Sequence, residues 1–333
     1  MASQDSRLIL VTGGTGYVGS VLVPALAKHY RVRTYDSQLF GNSIAGTPNV
    51  EAVQGDIRDM VQLELALEGV TDVIHLAGIV TDELVDINPE KAKAINCDAL
   101  QGLLELCGQH GVERFILMSS SSVYGGIRNA METDAPQPMT EYARQKLAQE
   151  MIVKESSHSF HKNIIRSATL CGPAPRMRLD TIVNTFCKQA WFDNRITVWG
   201  GRQQRTNVHV AGLVTFYLWL LRQNAQRVSG ETFNITSGNH TALALANRVR
   251  QIMASKWCGR KTSIEVDTTK SDLRSYSMLA SKARRWGWRP HTTIDNAIME
   301  NFAWFAAGGV DNPNDDIYYN NRRLGPAMMG ASR

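Results

Sequence analysis

The 333-residue sequence predicts an α/β fold, a doubly wound parallel sheet followed by a smaller C-terminal lobe. Three observations carry this. Short apolar runs alternate with helical patterns through the first half of the chain, as in a parallel sheet with crossover helices. A glycine-rich turn joins the first apolar run to the first helical pattern. After about residue 170 the rhythm loosens, and Pro173, Pro175, Gly200 and Gly201 punctuate shorter segments.

In order, the apolar runs predict strands over 7–12, 31–35, 50–54, 72–76, 113–119 and 162–166. Between them, Tyr17 to Lys28, Met60 to Glu68, Pro89 to Gln109 and Thr140 to Glu155 are each long enough for a helix. Residues 1–170 are expected to form the nucleotide-binding domain and 171–310 mainly the second lobe, with some segments returning to the first domain. From about Gly308 the chain is rich in Asn, Asp, Gly and Arg without an apolar period, so residues 311–333 are expected to be a loop or tail.

Composition narrows the function. Hydrophobic residues make up 43% and charged residues 20%, ordinary for a globular protein, and no run approaches the roughly 18 apolar residues of a membrane span. The polar start, Met1 to Arg7, lacks the basic and apolar regions of a secretory signal, so a cytoplasmic location is expected. Five scattered cysteines, Cys97, Cys107, Cys171, Cys187 and Cys258, form no C-x-x-C pair and read as reduced thiols. His158 and His161 lack further ligands, so no metal is expected. The net charge of +5 is dispersed, which suits an anionic small molecule and not a nucleic acid.

Thr12-Gly13-Gly14-Thr15-Gly16-Tyr17-Val18-Gly19 spaces glycines as G-x-x-G-x-x-G between a strand and a helix. Such a turn lets backbone approach a pyrophosphate resting on the helix N-terminus, which makes the sheet Rossmann-type. Asp36 ends the second strand where a carboxylate accepts hydrogen bonds from ribose hydroxyls and repels a 2′-phosphate, so the expected cofactor is NAD. Arg31 and Arg33 nearby leave NADP open. Ser119 to Ser122 close the fifth strand, where ligands bind in doubly wound sheets, and Tyr142 and Lys146 share a helix face at i and i+4.

With these motifs the chain resembles the extended short-chain dehydrogenase/reductase family, in its nucleotide-sugar epimerase and dehydratase branch, from about Leu8 to Trp304. Gly55-Asp56-Ile57-Arg58-Asp59, His75-Leu76-Ala77-Gly78, Cys171-Gly172-Pro173, Arg205 before Val208-His209-Val210, Phe233-Asn234-Ile235, Arg274 and Gly287-Trp288-Arg289-Pro290 extend the match. The resemblance implies a triad of Ser120, Tyr142 and Lys146. Asp56 and Ile57 would flank the adenine, Leu76, Ala77 and Gly78 would line the cofactor's path, and Asn96 would stand nearby. Thr81, Ser121, Ser122, Thr169, Arg178, Asn184, Arg205 and Arg274 are the implied substrate contacts. Arg205 and Arg274 would grip the diphosphate of a nucleotide sugar, as a guanidinium fork does, and Arg176 to Arg178 add cations for a phosphate or a sugar carboxylate. A homodimer paired through the helices around Leu100 to Cys107 and Leu147 to Ile152 is implied as well.

The chemistry explains the residue types. Oxidising a carbinol takes a base for the hydroxyl proton, and a free tyrosine, with pKa ~10, keeps its own at neutral pH. Lys146 and the nicotinamide are expected to lower it, at roughly 4 kcal/mol of differential stabilisation. Dehydratases of the family resemble one another in carrying Asp and Glu after the catalytic hydroxyl, and decarboxylases in carrying Glu at the second position. Ser121 and Ser122 stand here. That leaves 4-epimerisation first and NAD(P)-dependent keto-reduction second, ahead of a dehydratase, a decarboxylase or a non-catalytic NAD-binding protein.

Overall fold

The structure, a computed structural model, describes residues 6–257, 259–269 and 275–330. The first part of the chain runs β1 (Leu8–Thr12), α1 (Gly19–Leu26), β2 (Arg31–Asp36), β3 (Val50–Gln54), α2 (Met60–Ala66) and β4 (Asp72–His75). It continues through α3 (Asp82–Ile87), α4 (Pro89–Lys93), α5 (Ala99–Gln109), β5 (Arg114–Ser120), α6 (Glu141–Glu155) and β6 (His161–Ser167). Then come β7 (Thr169–Cys171), α7 (Ile182–Lys188), β8 (Arg195–Trp199), β9 (Gln204–His209), α8 (Val210–Leu221), α9 (Ala225–Val228) and β10 (Thr232–Ile235). The last elements are β11 (Gly238–Thr241), α10 (Ala242–Lys256), β12 (Ser263–Asp267), α11 (Ser281–Arg285), α12 (Ile294–Ala306) and α13 (Asn320–Met328).

Seven strands form one parallel sheet in the order β10-β6-β5-β4-β1-β2-β3. The chain winds outward from β1 to β3 and then returns past β1 to β4, so the order reverses between β1 and β4. Side chains of the turns there cannot close the gap, and a crevice opens at the strands' carboxyl ends. Gly13 follows β1 with φ +73°, and a Cβ at that position would lie 2.7 Å from the backbone nitrogen of Ala77, just past β4. One face of the sheet packs Leu22 and Leu26 of α1 against Leu213, Phe216 and Leu220 of α8. The other carries Leu63 of α2 and Leu100, Leu103 and Cys107 of α5.

The second lobe pairs β11-β9-β7 and β12-β8 over a core that includes Val183, Phe186, Val249 and Phe302. Two of its neighbours in sequence belong to the first domain: β10 extends the large sheet beside β6, and α8 covers α1. Among the described residues no helix is long and apolar enough to cross a membrane. Cys97, Cys107, Cys171 and Cys187 are buried free thiols, whereas Cys258 lies outside the described residues.

Two expectations need correction. The stretch expected as a loop or tail forms α13, because Leu324 and Met328, one turn apart, pack on Ile79, Leu84, Val85 and Ala92. The single helix expected from Pro89 to Gln109 is broken by a π turn over Ala94–Asp98. The widened turn frees Asn96 to face inward, where its Oδ1 accepts from Ile79 N (2.8 Å) and its Nδ2 donates to Ile79 O and Gln145 Oε1.

The floor beneath the crevice is polar. Glu150 on α6, wholly buried, takes a two-pronged hydrogen bond from Arg166 of β6 (2.9 and 2.7 Å) and another from Ser119 Oγ (2.6 Å). Arg166 also donates to Tyr124 Oη, which donates to Asn234 of β10. Removing one partner of such a pair strands the other charge out of water. Glu150→Gln should therefore cost about 3–5 kcal/mol of stability in urea unfolding. Lys154→Ala, which removes only the half-exposed outer partner of the same carboxylate, should cost about 0.5 kcal/mol.

Candidate active site

A cavity of about 1020 Å³ runs from the glycine-rich turn across the carboxyl ends of β1, β4 and β5 to Trp199 and Arg205 of the second lobe. Gly13, Gly16, Tyr17, Val18, Gly19, Asp36, Asp56, Ile57, Leu76, Ala77 and Gly78 all line it. A Cβ at Gly13 would strike the backbone after β4, and one at Gly19 would strike Gly14 O, so this cradle accepts only glycine at both positions. Asp36 is aimed by two backbone amides, Thr15 N onto Oδ2 (3.0 Å) and Gln38 N onto Oδ1 (2.7 Å). Arg33 turns away to Glu51 and to the carbonyls of Ala66 and Glu68, and neither it nor Arg31 lines the cavity. No guanidinium from β2 thus stands ready for a 2′-phosphate. Arg58 grips the Asp56 carboxylate at 2.9 and 2.5 Å and holds it below the ordinary carboxylate range.

Ser120, Tyr142 and Lys146 meet at the centre of this cavity. Ser120 Oγ accepts from the backbone N–H (3.2 Å) and the hydroxyl (2.9 Å) of Ser122, which leaves its own proton free to donate. Tyr142 shares a hydrogen bond with Ser120. Burial raises the phenol's pKa and outweighs that bond and the field of Arg178, which both lower it. The Lys146 Nζ donates to Met118 O (3.1 Å), and burial brings its pKa down to about 8.

The implied substrate contacts divide. Ser122, Thr169, Arg178 and Arg205 line the cavity. Thr81 does too, but its hydroxyl caps α3 through Leu84 N and bonds Asn321 of α13 (2.6 Å). Ser121 is buried outside the cavity lining. Asn184 also stays out of the lining: its side chain accepts from Gly172 N (3.0 Å) and donates to Tyr17 Oη (3.0 Å) and Arg178 O (2.8 Å). Asn96, expected near the cofactor, likewise serves the Ile79 loop from below. Arg274 lies outside the described residues. Arg178 is partly buried and bonded to Asp180 at 2.7 Å.

Sequence reasoning missed the wall contributed by α13, through Asn320, Leu324, Ala327 and Met328, and the pair Leu39 and Phe40 after β2. The i, i+4 spacing of Leu324 and Met328 was the available signal, masked by Gly325-Pro326 between them. Tyr17 was expected at the cofactor and does line the cavity, but its hydroxyl donates to Gly172 O (2.5 Å) and so ties the glycine-rich turn to the second lobe.

The family described as "NAD dependent epimerase/dehydratase family" matches residues 9–236. The chain is 25% identical to the dTDP-D-glucose 4,6-dehydratase of Mus musculus, over 90% of this chain and 89% of that one. It is 30% identical to an uncharacterized UDP-glucose epimerase of Bacillus subtilis, over 90% of this chain and 98% of that one. Among solved structures it resembles MoeE5 in complex with UDP-glucose and NAD, with a TM-score of 0.78 and 25% identity over 91% of this chain and 99% of that one.

If the amide-aimed carboxylate of Asp36 selects NAD by facing the ribose hydroxyls, Asp36→Ala should weaken NAD more than NADP in a fluorescence titration. Wild-type protein that binds NADP more tightly than NAD would remove that role from Asp36.

Proposed function

Because the chain belongs to the NAD-dependent epimerase/dehydratase family, we propose that it is a 4-epimerase of a nucleotide-diphosphate sugar, acting through a transient 4-keto intermediate. One observation supports this over dehydration. Eliminating water from the sugar requires one group to draw a proton from C5 and another to protonate the departing hydroxyl. Behind Ser120 stand two serines, one buried outside the cavity and one whose hydroxyl is directed at Ser120. Neither supplies the acid.

Within the site, Tyr142 carries the proton of the C4 hydroxyl, Ser120 donates a hydrogen bond to the same oxygen, and Lys146 keeps a positive charge beside both. NAD, held by the glycine-rich turn and Asp36, would supply reversible hydride acceptance for the sugar's C4. Arg205, on β9 of the second lobe, is the residue for the nucleotide diphosphate, and Arg178, whose field reaches Tyr142, is placed for a phosphate or a sugar carboxylate. The same reading takes the protein as a cytoplasmic homodimer. It is supported by the unpaired thiols and by the half-exposed Met151, with Leu147 and Ile152 beside it, on the outer part of α6.

Tyr142→Phe should leave NAD binding and folding near wild type while lowering turnover at least ~100-fold, as removal of a positioned acid/base does. Lys146→Met should impair both turnover and NAD affinity. Wild-type protein given a panel of UDP-, GDP-, CDP- and dTDP-sugars should interconvert C4 stereoisomers without net NADH. Stoichiometric NADH oxidation with a keto-sugar and no isomerisation would make it a reductase. Release of a 4-keto-6-deoxy sugar would make it a dehydratase.

A further inference from the structure

Arg176 is a buried cation in the cavity wall that forms no ion pair among the described residues, although Asp180 and Asp36 act on it through space. Only 5% of the residue is exposed, and its Nη2 donates to a neutral acceptor, Asn320 Oδ1, at 2.5 Å. Its guanidinium lies 3.7 Å from the centroid of the Phe40 ring, and its Nε has no hydrogen-bond partner. Among the described residues no carboxylate lies within ion-pair distance of it, in contrast to Arg178, which is paired with Asp180. Burial, and then Arg178, lower its pKa to about 9, which leaves it charged at neutral pH. A charge held this way out of water is costly until an anion joins it.

Its surroundings indicate which anion. The backbone N–H of Arg176 donates to Ser20 Oγ (3.3 Å), and Ser20 is the second residue of α1. Phe40 belongs to the loop after β2, the strand that ends in Asp36. The guanidinium therefore stands between the start of α1 and the Asp36 loop, whereas Arg205 is on β9 in the second lobe. A dinucleotide whose ribose meets Asp36 and whose nicotinamide meets Tyr142 passes its diphosphate through this interval. We propose that Arg176 is the counter-ion of the NAD diphosphate, reaching over from the second lobe, and that Arg176 and Asn320 together form a latch that keeps NAD in place between turnovers.

The latch has an anchored far end. Asn320 N donates to Asp180 Oδ2 (2.8 Å), Arg323 Nε to Leu39 O (2.9 Å), and Lys91 Nζ to Ala327 O (2.7 Å). Helix α13 is thus fastened to both sides of the cavity. The inference rests on NAD being the cofactor. A cofactor regenerated in every cycle has no need to leave, which suits the epimerase reading.

The test measures dissociation constants of NAD, ADP-ribose, adenosine and UDP by calorimetry on the full chain, with release of bound NAD followed by stopped flow. Arg176→Gln should weaken NAD and ADP-ribose by roughly 10- to 100-fold, the loss expected for hydrogen bonds to a charged group, and leave adenosine and UDP within about twofold. Asn320→Ala, which keeps the cation and removes its orienting acceptor, should speed NAD release at least about threefold, by the loss of one hydrogen bond. NAD binding by Arg176→Gln within about twofold of wild type overturns the proposal, as does a loss confined to UDP, which would assign the arginine to the sugar nucleotide. If Arg176→Gln fails to fold, unchanged NAD release from Asn320→Ala overturns it alone. Wild-type protein that binds no NAD would fail the cofactor reading itself, a result distinct from any of these.

Discussion

Glu150 and Arg166, two opposite charges without access to water, fix the positions on which the reacting groups depend. Glu150 sits one helical turn beyond Lys146, so anchoring it to β6 fixes the roll of α6 and with it the direction of both Lys146 and Tyr142. The same carboxylate holds Ser119, which leaves the alternating strand no choice but to turn Ser120 the other way, into the cavity. Arg166 carries the constraint on to Tyr124 and Asn234, so the edge strand joins the same network. An apolar floor could match its stability, but it would not specify one rotation of the helix.

Above that floor, neutral hydrogen bonds position the loops. Asn96 grips both backbone groups of Ile79 and reaches Gln145 on α6, so the loop after β4 is referred to the same helix as the triad. Tyr17 and Asn184 join the glycine-rich turn to Gly172. Together with the Arg176 to Asn320 bond they span the two lobes at the cofactor's position, where loosening any of them would widen the crevice.

The sheet was legible because its cause is local. Apolar runs of strand length separated by helix-length patterns give β1 to β6 nearly to the residue, and the glycine spacing places the turn between β1 and α1. Asp36, Ser120, Tyr142 and Lys146 could be located because each occupies a fixed offset from such an element. Residues whose role depends on a partner distant in sequence were not legible in this way. Asn184 and Ser121 sit in stretches that resemble substrate contacts but face inward, and nothing nearby in sequence announces Asn301 or the buried packing that claims them. Helix α13 has little apolar character of its own and exists because the surface of α3 and the Ile79 loop gives Leu324 and Met328 somewhere to go.

The return of β10 to the large sheet bears on how the chain reaches this state. The outer edge of β6 has no partner until the whole of β7 to α9 has intervened, and α1, among the first elements in the chain, is covered by α8 from beyond its midpoint. Pairings of such long sequence separation are slow to form, because the loop between them must close before any contact rewards it. During synthesis the nascent sheet therefore presents an open hydrogen-bonding edge and an uncovered apolar helix until Ile235 has emerged. Over that interval a transient partner such as a chaperone would have most to protect.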